Sequence, residues 1–231
     1  MIMYNEFVAD VSKYHLKLVH DYGSCQVWEI DGEKLRAEKD IEFTNFGMYP
    51  DFDYIPSNEL WLDREAHPDE RRFFVDHMLT QWKALKHGYS NTLALDKAYR
   101  VEKSERAKSQ DMKKVESSSD VHLKKISETS DGLVIWLVNG RLVRSDFFID
   151  FVDGGHHLIY PWVPKNEVWL DDDLQKGEYP YVILHELHER KLMSQGWTYN
   201  RAHGSASKIE FLCHHHPEKL VIHLHQLGFH N

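Results

Sequence analysis

The sequence predicts an α+β protein made by tandem duplication of one unit, an antiparallel sheet followed by a helical hairpin. Residues 27–103 align with 135–211 without a gap, with about twenty identities, the mark of an internal repeat. Within each copy, short apolar runs bounded by turn residues precede two longer segments with helical periodicity. Between the copies, Ser104 to Ser130 is rich in Ser, Lys and Glu and poor in apolar residues, as a connection would be. The expected boundaries are a first repeat at 1–107, a linker at 108–120 and a second repeat at 121–231.

Each copy reads in the same order. Asp31-Gly32 and Asn139-Gly140 sit between apolar runs and signal two-residue hairpin turns. A third strand is expected at Ile41 to Phe43 and at Phe147 to Val152. A fourth passes through Leu60-Trp61-Leu62 and Val168-Trp169-Leu170, whose tryptophans belong to the core. Helices follow at about Glu70 to Lys86 and Asn91 to Glu105. In the second copy they run from about Glu178 to Gln195 and from Thr198 to about Leu212. Gly196 is placed to end the first helix of that pair and Thr198 to cap the second with its side chain.

Composition narrows the function. At 231 residues, 42% hydrophobic and 28% charged, the chain suits a soluble two-domain protein. It has no run of roughly 18 apolar residues and no basic-then-apolar leader, so a cytoplasmic protein without a membrane partner is expected. Two cysteines, Cys25 and Cys213, make no disulfide framework. A net charge of −9 argues against a nucleic-acid partner. Gly-rich phosphate loops and serine-nucleophile elbows are absent. Most of the 17 histidines lie from His156 onward, which directs attention to the second copy.

There the stretch VILHELHERKLMSQGWTYNRAHGSASKIEF concentrates metal-ligating side chains. His185 and Glu189 share a helical stripe with Val182 and Leu192, so an imidazole and a carboxylate face the core. Folding about Gly196-Trp197 brings His203 and Glu210, seven residues apart, opposite that pair. These two are separated by about 10.5 Å of helix rise, so one of them, by preference Glu210, is expected to complete the site. Copy one reads His77, Met78, Gln81, Leu95 and Glu102 at the positions of His185, Glu186, Glu189, His203 and Glu210, so its site is degenerate.

The run His185-Glu186-x-x-Glu189 resembles the His-Glu-x-x-His helix of zincin metallopeptidases, with Glu189 in place of the second His. In the Glu-type branch of that family a third ligand, a Glu, stands on a later helix at a spacing like that of Glu210. The stretch is also similar to uncharacterised bacterial and phage proteins. The zincin resemblance implies a divalent metal, zinc above all, held by His185, Glu189 and either Glu210 or His203. It further implies Glu186 as the base that activates water, and a small-molecule or peptide substrate with a hydrolysable amide or similar bond.

Each feature has a plainer reading. His185 and Glu210 correspond to His77 and Glu102 and could simply tie two helices in a non-catalytic interaction or metal-binding protein. Glu186 and Arg190 have the spacing of a surface ion pair, and His188 is expected to be exposed. Gly154-Gly155-His156-His157 reads as a polar loop whose histidines could reach a substrate. Cys213-His214-His215-His216 reads as an adventitious soft-metal tail, and Asp171-Asp172-Asp173 as helix capping and solvated loop.

Overall fold

The computed structural model describes residues 11–109 and 115–230. The chain divides into two compact units, 1–105 and 106–231. The expected linker at 108–120 includes 110–114, which lie outside the described residues. Each unit is α+β, with a four-stranded sheet and helices in the same order.

In the first unit β1 (His15–Asp21), β2 (Gln26–Ile30), α1 (Gly32–Glu38), β3 (Phe46–Met48), β4 (Glu59–Asp63), α2 (Arg71–Lys86) and α3 (Asn91–Ala107) follow one another. The second unit repeats them as β5 (His122–Glu128), β6 (Val134–Val138), α4 (Gly140–Asp146), β7 (Gly154–His156), β8 (Glu167–Asp171), α5 (Tyr179–Ser194) and α6 (Tyr199–His215). It then adds α7 (Leu220–Gln226). No described helix is long and apolar enough to cross a membrane.

The sheets run β1-β2-β4-β3 and β5-β6-β8-β7. Their outer pairs are antiparallel as expected, but the central pairs, β2 with β4 and β6 with β8, are parallel, with Trp28 beside Trp61 and Trp136 beside Trp169. The expected hairpins do not form, because Asp31 and Asn139 cap helices instead. Their side chains accept hydrogen bonds from the Lys34 and Leu142 amides and start α1 and α4, which carry the chain over to the edge strands β3 and β7, from which it turns back as β4 and β8 beside β2 and β6. The third strand also lies further along than expected, at Phe46–Met48 and Gly154–His156.

Strand alternation divides the core of the second unit between the two faces of its sheet. Ile135, Val168 and Leu170 pack with Val182, Ile183, Leu184 and Leu187 of α5 and with Leu220 and Leu224 of α7. Val138 and Trp169 pack on the other face with Val143 of α4, Phe151 and Val163. Both faces of the central strands are therefore covered, which is why they read as near-continuous apolar runs.

An ion pair bolts α4 to the sheet. Buried Arg144 donates to Asp171, as Arg36 does to Asp63 in the first unit. Asp172 accepts from the Gly140 amide at 3.0 Å, and Asp171 accepts from Asp173 N–H at 3.1 Å. The Asp171 and Asp172 carboxylates are thus committed to holding the chain together.

Candidate metal centre in the second unit

Helices α5 and α6 form the expected hairpin. Gly196 takes φ +90°, a left-handed conformation that suits glycine, and the Trp197 amide closes back on the Leu192 carbonyl at 3.1 Å. Thr198 occupies the cap position of α6, but its side chain makes no capping bond. Ala202 and Ala206, fully buried at successive turns, let α6 approach α5 closely.

This approach gathers the predicted residues. His185 Nε2 lies 3.1 Å from His203 Nδ1, His203 Nδ1 lies 2.8 Å from Glu189 Oε2, and His185 Nε2 lies 3.7 Å from the same oxygen. A tetrahedral zinc ion with bonds of about 2.0 Å separates its ligand atoms by about 3.3 Å, so the triangle has the dimensions of a zinc face. Two imidazoles and a carboxylate also match the donor set of hydrolytic zinc sites.

Glu210 takes a different place from the one expected. Its Oε2 accepts a hydrogen bond from His185 Nδ1 at 2.7 Å, on the far side of the imidazole from His203. The helix rise between His203 and Glu210 is accommodated because they address opposite nitrogens of one ring. When His185 is neutral, this bond keeps its proton on Nδ1 and leaves the Nε2 lone pair toward the triangle. The geometry therefore places His203, rather than Glu210, with His185 and Glu189, and puts Glu210 behind His185.

Electrostatics follow from burial and these bonds. Burial alone would lower the His185 pKa, but the Glu189 carboxylate beside it and the hydrogen bond to Glu210 raise it well above the usual histidine value. Burial pushes Glu189 upward, yet the adjacent His156 and His185 rings and the hydrogen bond from His203 hold it well below the carboxylate range. Glu186, turned inward and 8% exposed, is raised by burial to about 7, with His156 and His185 pulling the other way. It is not paired with Arg190 as the surface reading had it; Arg190 donates to the Lys165 carbonyl at 3.2 Å.

Sequence reasoning left His156 outside the site. The Gly154-Gly155-His156-His157 stretch is strand β7 and its exit, and His156 is wholly buried with Nε2 3.1 Å from Glu189 Oε1. The signal was present in the repeat, where His156 corresponds to Met48, an apolar residue exchanged for a histidine on a core strand.

The remaining candidates stand apart. His188 is half-buried rather than exposed, and its Nε2 lies 3.0 Å from Ser205 Oγ. Cys213 faces the core, while His214 stacks on Tyr181 with ring centroids 3.8 Å apart and His215 is exposed, so the Cys-His-His-His run assembles no single site.

Unit one shows the same frame without the centre. His77 Nδ1 meets Glu102 Oε2 at the same 2.7 Å. Met48 and Met78 pack together in its core, and Gln81 donates to Asp51 at 2.8 Å and to Asn91 at 3.0 Å. No protein-family model, curated protein or solved structure matches this chain.

Proposed function

We propose that the second unit is a divalent-metal-dependent hydrolase whose ion, with zinc the best fit, is held by His185 Nε2, His203 Nδ1 and Glu189 Oε2. The observation that carries this reading is the ligand-sized triangle of those three atoms beside a buried carboxyl, Glu186, whose pKa of about 7 suits a general base at neutral pH. Bound there, the ion would polarise a carbonyl and acidify water. In this reading Glu186 accepts the proton of the attacking water, and Glu210 keeps the His185 Nε2 lone pair inward. Amide or peptide bonds are the substrate class implied by the zincin resemblance.

A second reading has its own observation. The 2.7 Å His77–Glu102 bond shows that one half of the arrangement serves as a helix tie in a unit with no comparable ligand set, so the second unit could bind metal or a partner without catalysis. Metal analysis and one substitution separate the two. Untagged protein carrying His215→Ala and His216→Ala should hold about one zinc per chain, and Glu189→Ala should release it. Truncation before Cys213 is unsuitable as a control, because Cys213, Leu220 and Leu224 belong to the core. A parent that purifies metal-free and takes up no zinc at micromolar concentration defeats the metal reading. A zinc-loaded parent that hydrolyses no amide or peptide substrate defeats the catalytic one, and a Glu186→Gln variant that keeps both zinc and full activity removes Glu186 as the base.

A further inference from the structure

Two groups of ligand-type side chains meet at Glu189. One is the triangle above; the other is His156, Glu186 and Glu189, all buried, with ligand atoms within 4.8 Å of one another. By distance alone the second group would admit another ion bridged through Glu189. Proton placement argues otherwise. His156 Nδ1 accepts a hydrogen bond from the Leu158 amide at 3.2 Å, so the single proton of the neutral imidazole sits on Nε2. A protonated Nε2 has no lone pair for a metal. It is a donor, buried at 0% exposure, and Glu189 Oε1 at 3.1 Å is the carboxylate oxygen beside it. The N–H points off this oxygen, so the contact is a close approach rather than an aligned hydrogen bond, and Nε2 makes no hydrogen bond among the described residues.

We infer that His156 is a positioning residue for the ion site: its Nε2–H holds Glu189 Oε1, so that only Oε2 is presented to the ion. This rests on the site proposed above. A carboxylate without such a partner can turn about its last bond and offer either oxygen or both. With Oε1 held by His156, Oε2 stays 2.8 Å from His203 Nδ1 and completes the triangle. The repeat supports the pairing. Where the second unit has Glu189 the first has Gln81, and where the second has His156 the first has Met48, so donor and carboxylate are present together or absent together. The strand is shaped for the contact as well. A Cβ at Gly154 would lie 2.9 Å from the Trp169 carbonyl oxygen of β8 and 3.1 and 3.2 Å from the Val182 and Glu186 side chains of α5, so glycine lets β7 sit close against both.

The test compares His156→Met with His156→Gln. Methionine is the residue that the first unit buries at this position, so it preserves packing and removes the donor; glutamine keeps an N–H donor near the place of Nε2. Zinc affinity is measured by competition with a chromogenic chelator, and melting temperature with and without zinc. We expect His156→Met to bind zinc about 10- to 100-fold more weakly, with no loss of metal-free melting temperature, and His156→Gln to stay within about threefold of the parent. Equal affinity in parent and His156→Met overturns the inference while leaving the ion site standing. A parent that binds no zinc overturns both. Should His156→Met fail to fold, ¹⁵N NMR of histidine-labelled parent decides directly. A His156 ring protonated at Nε2 with and without zinc supports the assignment, and a zinc-bound Nε2 overturns it in favour of a second ligand group.

Discussion

Replacing Glu210 with glutamine separates the role that the structure gives this residue from the one that spacing alone suggested. The carboxylate sits 2.7 Å from His185 Nδ1 and 12% exposed, so the bond it accepts is charge-assisted and largely shielded. Such a bond contributes about 1.5–3 kcal/mol, and at about 1.4 kcal/mol per decade its weakening lowers zinc affinity by about 10- to 100-fold. Glutamine keeps an oxygen able to accept from Nδ1–H, so the loss should fall at the lower end, with Glu210→Ala at the upper. Loss of a ligand is a different order of effect, and His203→Ala or Glu189→Ala should weaken binding by at least about a thousandfold. The assay is chelator competition on untagged protein lacking the exposed His215 and His216 imidazoles. If Glu210→Gln strips the ion while His203→Ala retains it, Glu210 is the ligand and the argument from the two faces of the His185 ring fails.

Other expectations follow from burial and close packing. In metal-free protein, burial lifts the Glu186 carboxyl from 4.5 to about 7, so the stability it confers is complete below its unfolded value and is lost as pH rises through about 7. Relative to Glu186→Gln, the parent should lose about 3 kcal/mol in urea unfolding between pH 4 and pH 8; parallel curves would mean that this carboxyl is solvated. Burial pushes the Cys25 thiol up to about 11 and raises that of Cys213, so neither should react with an aromatic disulfide reagent at pH 8 before unfolding. Prompt thiol release from native protein would contradict that packing. A methyl at Gly155 would lie 2.4 Å from the Tyr160 ring, so Gly155→Ala should cost about 1–3 kcal/mol, and an unchanged melting temperature would show that the ring moves aside freely.

How much of this was legible depended on whether the governing interaction was local. Helices α2, α3, α5 and α6 were readable because periodicity and the turn glycines are written in neighbouring residues, and the repeat confirmed each by its copy. Asp31-Gly32 and Asn139-Gly140 misled because the same dipeptides serve a tight hairpin and a helix start. What decides between them is whether the side chain finds an amide three residues on, as Asp31 finds Lys34 and Asn139 finds Leu142. Parallel pairing of β6 with β8 could not be read, since it joins strands more than thirty residues apart. His185, Glu186, Glu189, His203 and Glu210 were found together because a helical hairpin brings its own residues face to face. His156 comes from the sheet, and only its exchange for Met48 hinted at its place. The order of His203 and Glu210 turned on which ring nitrogen each addresses, a matter of side-chain direction that spacing does not encode.

The retained His–Glu tie has a consequence for how such a centre is acquired. The first unit already has the backbone, the Gly88 turn, the close-packed Ala94 and Ala98, and a His77 ring held at Nδ1 by Glu102. At the positions discussed, it differs from the second at Phe46, Met48, Met78, Gln81 and Leu95, where the other copy carries Gly154, His156, Glu186, Glu189 and His203. The scaffold is thus separable from the chemistry placed on it. Five exchanges, each confined to a side chain, lie between a helix-to-helix tie and the proposed metal centre, so such a centre can be gained or shed on one unchanged backbone.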